Sequence, residues 1–153
     1  MNSTEILVIG IGNLLLTDEG VGIHAIQELQ KINKESRVEI LDGGTGGFEL
    51  ISYFKGRKKI IIIDAFQADR PAGTIMRTTI EDVNFGQGNL FSVHQNGLPE
   101  LLYHSRSMVP RPQIVFYGIV VNDCHSFSMC LSPEVQASLP ALISMLLREI
   151  SES

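Results

Sequence analysis

The first apolar run, Glu5 to Ile11, is short, almost continuous and rich in Ile and Val, the pattern of a parallel strand buried on both faces. The period then changes. Val21, Ala25, Leu29 and Ile32 recur at spacings of four, four and three, with Gln27, Glu28, Gln30 and Lys31 around them, which predicts an amphipathic helix. A second strand is expected over Val38 to Leu41, then the loop Gly43-Gly44-Thr45-Gly46-Gly47 and a short helix over Phe48 to Phe54. Lys59 to Asp64, with four successive isoleucines, reads as the central strand. Further strands are expected at Gly73 to Thr79 and Gln113 to Val121, with a helix at Pro99 to Ser105 between them. The stretch from Glu81 to Gln95 reads as a long loop, the kind of segment that often carries function. The last helix opens on Ser132 as N-cap, Pro133 at the first helical position and Glu134 near the positive end of the dipole, and runs to about Ile150.

Strands alternating with helices predict an α/β fold, a three-layer sandwich around a mostly parallel, twisted sheet of about five strands, with Gly73 to Thr79 as the candidate antiparallel member. No repeat, low-complexity tract or linker interrupts the pattern, so residues 1–153 are expected to form one domain. Hydrophobic residues at 44% and charged ones at 19% are the composition of a compact globular chain and exclude a disordered or collagen-like one. Seventeen acids against 12 Lys and Arg leave a formal charge of −5, which repels phosphate backbones, so no nucleic-acid partner is expected. The basic triplet Arg57-Lys58-Lys59 reads as a solvated strand entry. Cys124 and Cys130 are too few for a disulfide framework and lack zinc-knuckle spacing; they read as reduced thiols in the cytoplasm. No apolar run reaches the length of a membrane helix, and the run from Leu7 to Leu16 lacks the basic flank of a signal peptide.

Gly10-Ile11-Gly12 resembles the start of a dinucleotide-binding turn, but Leu15 stands where the third glycine belongs. Asp18 and Glu19 in the same turn would also repel phosphates. Serine-elbow, zinc-helix and P-loop signatures are missing. The chemistry-bearing residues that remain are Glu19 after the first strand, Asp42 ending the second, Asp64 ending the isoleucine strand and His94 in the long loop. All four belong to the carboxyl-end crevice, where open α/β sheets bind ligands. Structural duties compete for each of them. Asp18 or Glu19 could cap the first helix, Asp42 could be a turn aspartate, and His94 could be a satisfied loop histidine. Asp64 at the end of four isoleucines is costly unless something pairs with it. Two carboxylates and an imidazole would make a mixed oxygen and nitrogen site for a divalent transition metal. Asp123-Cys124-His125 follows the last strand and offers a rival thiolate and imidazole pair.

The segment ILVIGIGNLLLTDEGVG at Ile6 to Gly22 resembles the opening signature of the hydrogenase maturation endopeptidases. The resemblance continues through LDGGTGG at Leu41 to Gly47, IIIIDAF at Ile60 to Phe66, PAGT soon after and SVHQ at Ser92 to Gln95. It implies a phosphorylase/hydrolase-like α/β sandwich and an endopeptidase that removes the C-terminal extension of a nickel-iron hydrogenase large-subunit precursor after nickel insertion. The metal ligands implied are Glu19, Asp64 and His94, with Asp42 as a supporting or catalytic acid. Nickel would arrive with the substrate, although another divalent metal could occupy the site in vitro. The same residues would serve a non-hydrolytic, nickel-dependent assembly checkpoint for that precursor. The resemblance gives Cys124 and His125 no role.

Overall fold

The computed structural model describes residues 4–82, 98–122 and 125–153. Five strands form one sheet: β1 (Ile6–Ile11), β2 (Val38–Gly44), β3 (Lys59–Phe66), β4 (Ile75–Thr79) and β5 (Gln113–Val120), in the order β2-β1-β3-β5-β4. The first four in that order are parallel, and β4 pairs antiparallel to β5 at the edge, as the sequence led one to expect. All eight residues of β3 are buried, in keeping with its central place. Three α-helices, α1 (Val21–Ile32), α2 (Leu98–Ser105) and α3 (Pro133–Ser151), cover the two faces. The segment Phe48–Tyr53, expected as a short helix, is 3-10 helical.

Alternation along the strands divides the core. Val8, Ile61, Ile63, Ala65 and Tyr117 pack with α1 and α3, while Leu7, Ile9, Ile60, Ile62 and Phe116 pack with Leu50, Phe54, Leu101 and Leu102 on the other side. The result is the expected three-layer sandwich. Ile32 departs from the predicted helix face: it is 46% exposed, and Ile23 and Ile26 are buried instead. The helical period places Ile32 in line with Leu29, but it is the last residue of α1. Pro133 begins α3 and Pro140 lies within it, on an exposed position.

The basic triplet is also corrected. Lys58 is exposed and pairs with Glu5 at 2.8 Å, but Arg57 and Lys59 are buried. Arg57 pairs with Glu39, and Lys59 with Glu149 on α3. Two buried cations are tolerable here because each meets a carboxylate and further oxygen acceptors. Lys59 also donates to Ser153 Oγ, and Arg57 to the carbonyls of Tyr53 and Thr4.

Candidate functional site

The loop from β1 to α1 is pressed onto the carboxyl ends of the central strands. A Cβ on Gly22 would lie 2.4 Å from Ile11 O and 2.5 Å from Ile63 O, and one on Gly10 would lie 2.3 Å from Gly22 O. Only glycine permits this approach. The 3-10 turn Thr17–Gly20 just before α1 therefore packs against β3. Glu19 on that turn and Asp64, the residue after Ile63, are brought to the same end of the sheet. Both are buried, Glu19 9% and Asp64 0% exposed. Asp64 Oδ1 accepts the Ala65 N–H at 2.7 Å.

The N-cap position of α1 is taken by Gly20, so neither acid of the turn occupies it. Asp18 does different work. Its carboxylate, fully buried, accepts the Asn122 N–H at 3.1 Å, the Ser132 N–H at 2.7 Å and the Ser132 hydroxyl at 2.8 Å. It thereby ties the turn to the exit of β5 and the start of α3. Ser132 is the N-cap residue, but its hydroxyl serves Asp18 and makes no cap bond to the helix.

Thr17 completes the support. It sits at φ 48°, a left-handed conformation unfavourable for a β-branched residue. Its N–H donates to Ser128 O at 2.9 Å and its hydroxyl to Ser126 O at 2.7 Å. Ser128 N–H in turn donates to Leu15 O at 2.9 Å. These contacts hold the turn that carries Glu19 from a segment more than a hundred residues away. Nothing local in the sequence marks Thr17 or Asp18 as positioning residues; their partners become visible only in three dimensions.

Asp42 lies at the end of β2, opposite Gly10 of β1, and is exposed. Its Oδ1 accepts the Gly44 N–H at 2.8 Å, so it does form the turn that its place before two glycines suggests. His94 and Cys124 lie outside the described residues. Cys130 is a free, exposed cysteine. Among the described residues no group of three His, Cys, Asp or Glu is close enough to hold a metal ion. Glu19 and Asp64 supply two oxygen donors, which fit a divalent transition metal in type and leave positions open for other ligands.

Two buried acids toward the carboxyl end of a five-stranded α/β sandwich place the chain among α/β proteins with a strand-end site, and similarity to known proteins assigns its family. The family model described as hydrogenase maturation protease matches residues 23–149. Hydrogenase 2 maturation protease from Escherichia coli strain K12 is 35% identical over 151 residues, 97% of this chain and 92% of that protein. The solved structure of hydrogenase maturating endopeptidase HybD from E. coli superposes with a TM-score of 0.86 at 33% identity, covering 97% of this chain and 93% of that one. The NiFe hydrogenase maturation protease HybD from Thermococcus kodakarensis gives a TM-score of 0.75 at 26% identity, covering 94% and 97%. This chain belongs to the hydrogenase maturation protease family, and is an endopeptidase of it.

Proposed function

We propose that this protein removes the C-terminal extension of a nickel-iron hydrogenase large-subunit precursor after nickel insertion, gripping the substrate's nickel through Glu19, Asp64 and His94. The observation that carries this reading is the delivery of two buried carboxylates, from separate segments, to one end of the sheet in a chain of this family. The name of the Thermococcus relative supports the nickel-iron type.

Nickel accepts both oxygen and imidazole donors, and three such donors leave room for ligands that the precursor retains. Two carboxylates also offset the charge of a divalent ion within the protein interior. Asp42 has solvent access at the end of β2. In this reading it takes a proton from the attacking water as the water oxygen adds to the scissile carbonyl carbon. The C–N bond then breaks, and the departing amine receives that proton from Asp42. The free thiol of Cys130 suits a reducing compartment, and the cytoplasm is where this reading puts the reaction.

The test is the intact mass of a nickel-loaded precursor before and after incubation with the protein. Loss of a C-terminal fragment supports the reading. A stable complex with the precursor left at full length would contradict hydrolysis and favour a nickel-dependent checkpoint instead.

A further inference from the structure

A cavity of about 190 Å³ opens between β3, β5 and β4, lined by Phe66, Met76, Arg77, Thr78, Phe116 and Gly118. Its place relative to the acids follows from strand alternation. Along β3, Ile60 and Ile62 belong to the α2-side core and Ile61, Ile63 and Ala65 to the α1-side core. Asp64 and Phe66 therefore face the α2 side, as does Phe116 on β5. The cross-strand partner of Asp64 is Gly118. Having no side chain, Gly118 leaves the wall of the cavity beside Asp64 as bare backbone. A Cβ there would crowd Phe66 Cγ at 3.2 Å and Phe116 Cε1 at 3.3 Å.

Among the described residues of the lining the charged one is Arg77, and its guanidinium is bound to Glu149 of α3, on the opposite side of the sheet. What faces the cavity is two aromatic rings, a thioether, a threonine and a glycine. A charged side chain entering it would lose hydration without a free counter-charge among the described lining residues, whereas an aliphatic one would exchange water for apolar contact.

We propose that this cavity is a specificity subsite that receives an uncharged, apolar side chain of the polypeptide substrate next to the bond being cut. The proposal rests on the peptidase reading above. The substrate is the occupant the position favours, because Gly118 in the cavity wall is the strand partner of Asp64, a proposed metal ligand on the same face of the sheet. Met76 forms the outer wall on edge strand β4 and is 36% exposed, so its size can be changed without disturbing the core.

The experiment uses nickel-loaded precursors carrying Ala, Leu, Phe or Asp in turn at each residue flanking the scissile bond. At one of those positions the wild-type protein should cut the Leu form at least about tenfold better than the Ala form in kcat/KM, and the Asp form worst of all. Met76→Trp should collapse the Leu-to-Ala ratio toward one. Met76→Ala should move preference the other way, toward Phe. Opposite shifts from the two variants cannot arise from general loss of folding, which thermal unfolding would report separately. A Leu-to-Ala ratio unchanged in both variants, with the wild type active, overturns the subsite and leaves the peptidase reading intact. So does a change in native mass without a change in the ratio, because the cavity would then be covered by a second copy of the chain. If the wild type cuts no precursor at all, the peptidase reading fails and the subsite falls with it.

Discussion

Asp18 and Glu19 are consecutive, both buried, and identical in charge, yet they call for opposite substitutions to expose their roles. Asp18 accepts three hydrogen bonds from Asn122 and Ser132. Asp18→Ala leaves those donors unsatisfied and should lower the unfolding free energy by about 3 kcal/mol, measured by urea denaturation. Glu19→Gln and Asp64→Asn keep side-chain shape and remove charge; each should abolish processing while the protein still unfolds cooperatively as the wild type does. His94→Ala should do the same, and a drop of several kcal/mol in its stability would mark a structural histidine instead. Cys124→Ser combined with Cys130→Ser should leave processing at the wild-type rate, since the site draws on oxygen and imidazole donors. The positions of Glu19 after β1, Asp42 on β2 and Asp64 on β3 were legible in the sequence because the apolar strands that precede or carry them stand out. Asp18, Arg57 and Lys59 were not, because their partners lie far away in the chain: Ser132 is 114 residues from Asp18, and Glu149 is 90 from Lys59.

The elements came through best where burial alone dictates them. Four isoleucines in β3 and the 3.6-residue period of α1 follow from local pattern alone, whereas the exposure of Ile32 at the last position of α1 does not. The far end of α3 shows an ionic cluster that periodicity cannot reveal. Glu149 accepts from Tyr117 at 2.7 Å and from Arg77 at 2.6 Å, and it pairs with Lys59. Burial pushes its carboxyl up, but the hydrogen bonds from Arg77, Lys59 and Tyr117 outweigh that and hold it at about 2. A carboxyl depressed below its ordinary 4.5 stabilises the fold fully above that value, and the contribution is lost as pH falls toward about 2. His24 acts in the same sense, since burial lowers it below 6.5 and protonation below that value favours the unfolded chain. Glu149→Gln should therefore cost about 3 kcal/mol at neutral pH by leaving Lys59 buried without its counter-charge. The deficit should shrink as urea titrations are repeated at successively lower pH. A deficit independent of pH would mean that the charge of Glu149 is not what holds α3 to the sheet.

At the scale of the whole molecule, the sheet separates two ends with different duties. The amino end is tied together by the Lys59, Arg77 and Glu149 cluster, and Glu19, Asp42 and Asp64 lie toward the carboxyl end. The central claim is that the carboxyl end reads nickel carried by the substrate. In this reading nickel controls cleavage through differential affinity for the loaded precursor, and each ~1.4 kcal/mol of bridging interaction gives tenfold discrimination. One or two metal bonds retained across the interface would make an unloaded precursor effectively inert. The direct measurement is the rate of C-terminal release from precursor with and without nickel, at equal concentration and with free metal removed by a chelator. The account predicts cleavage of the loaded form and at least a tenfold slower release from the empty one. Equal rates for the two forms would contradict it.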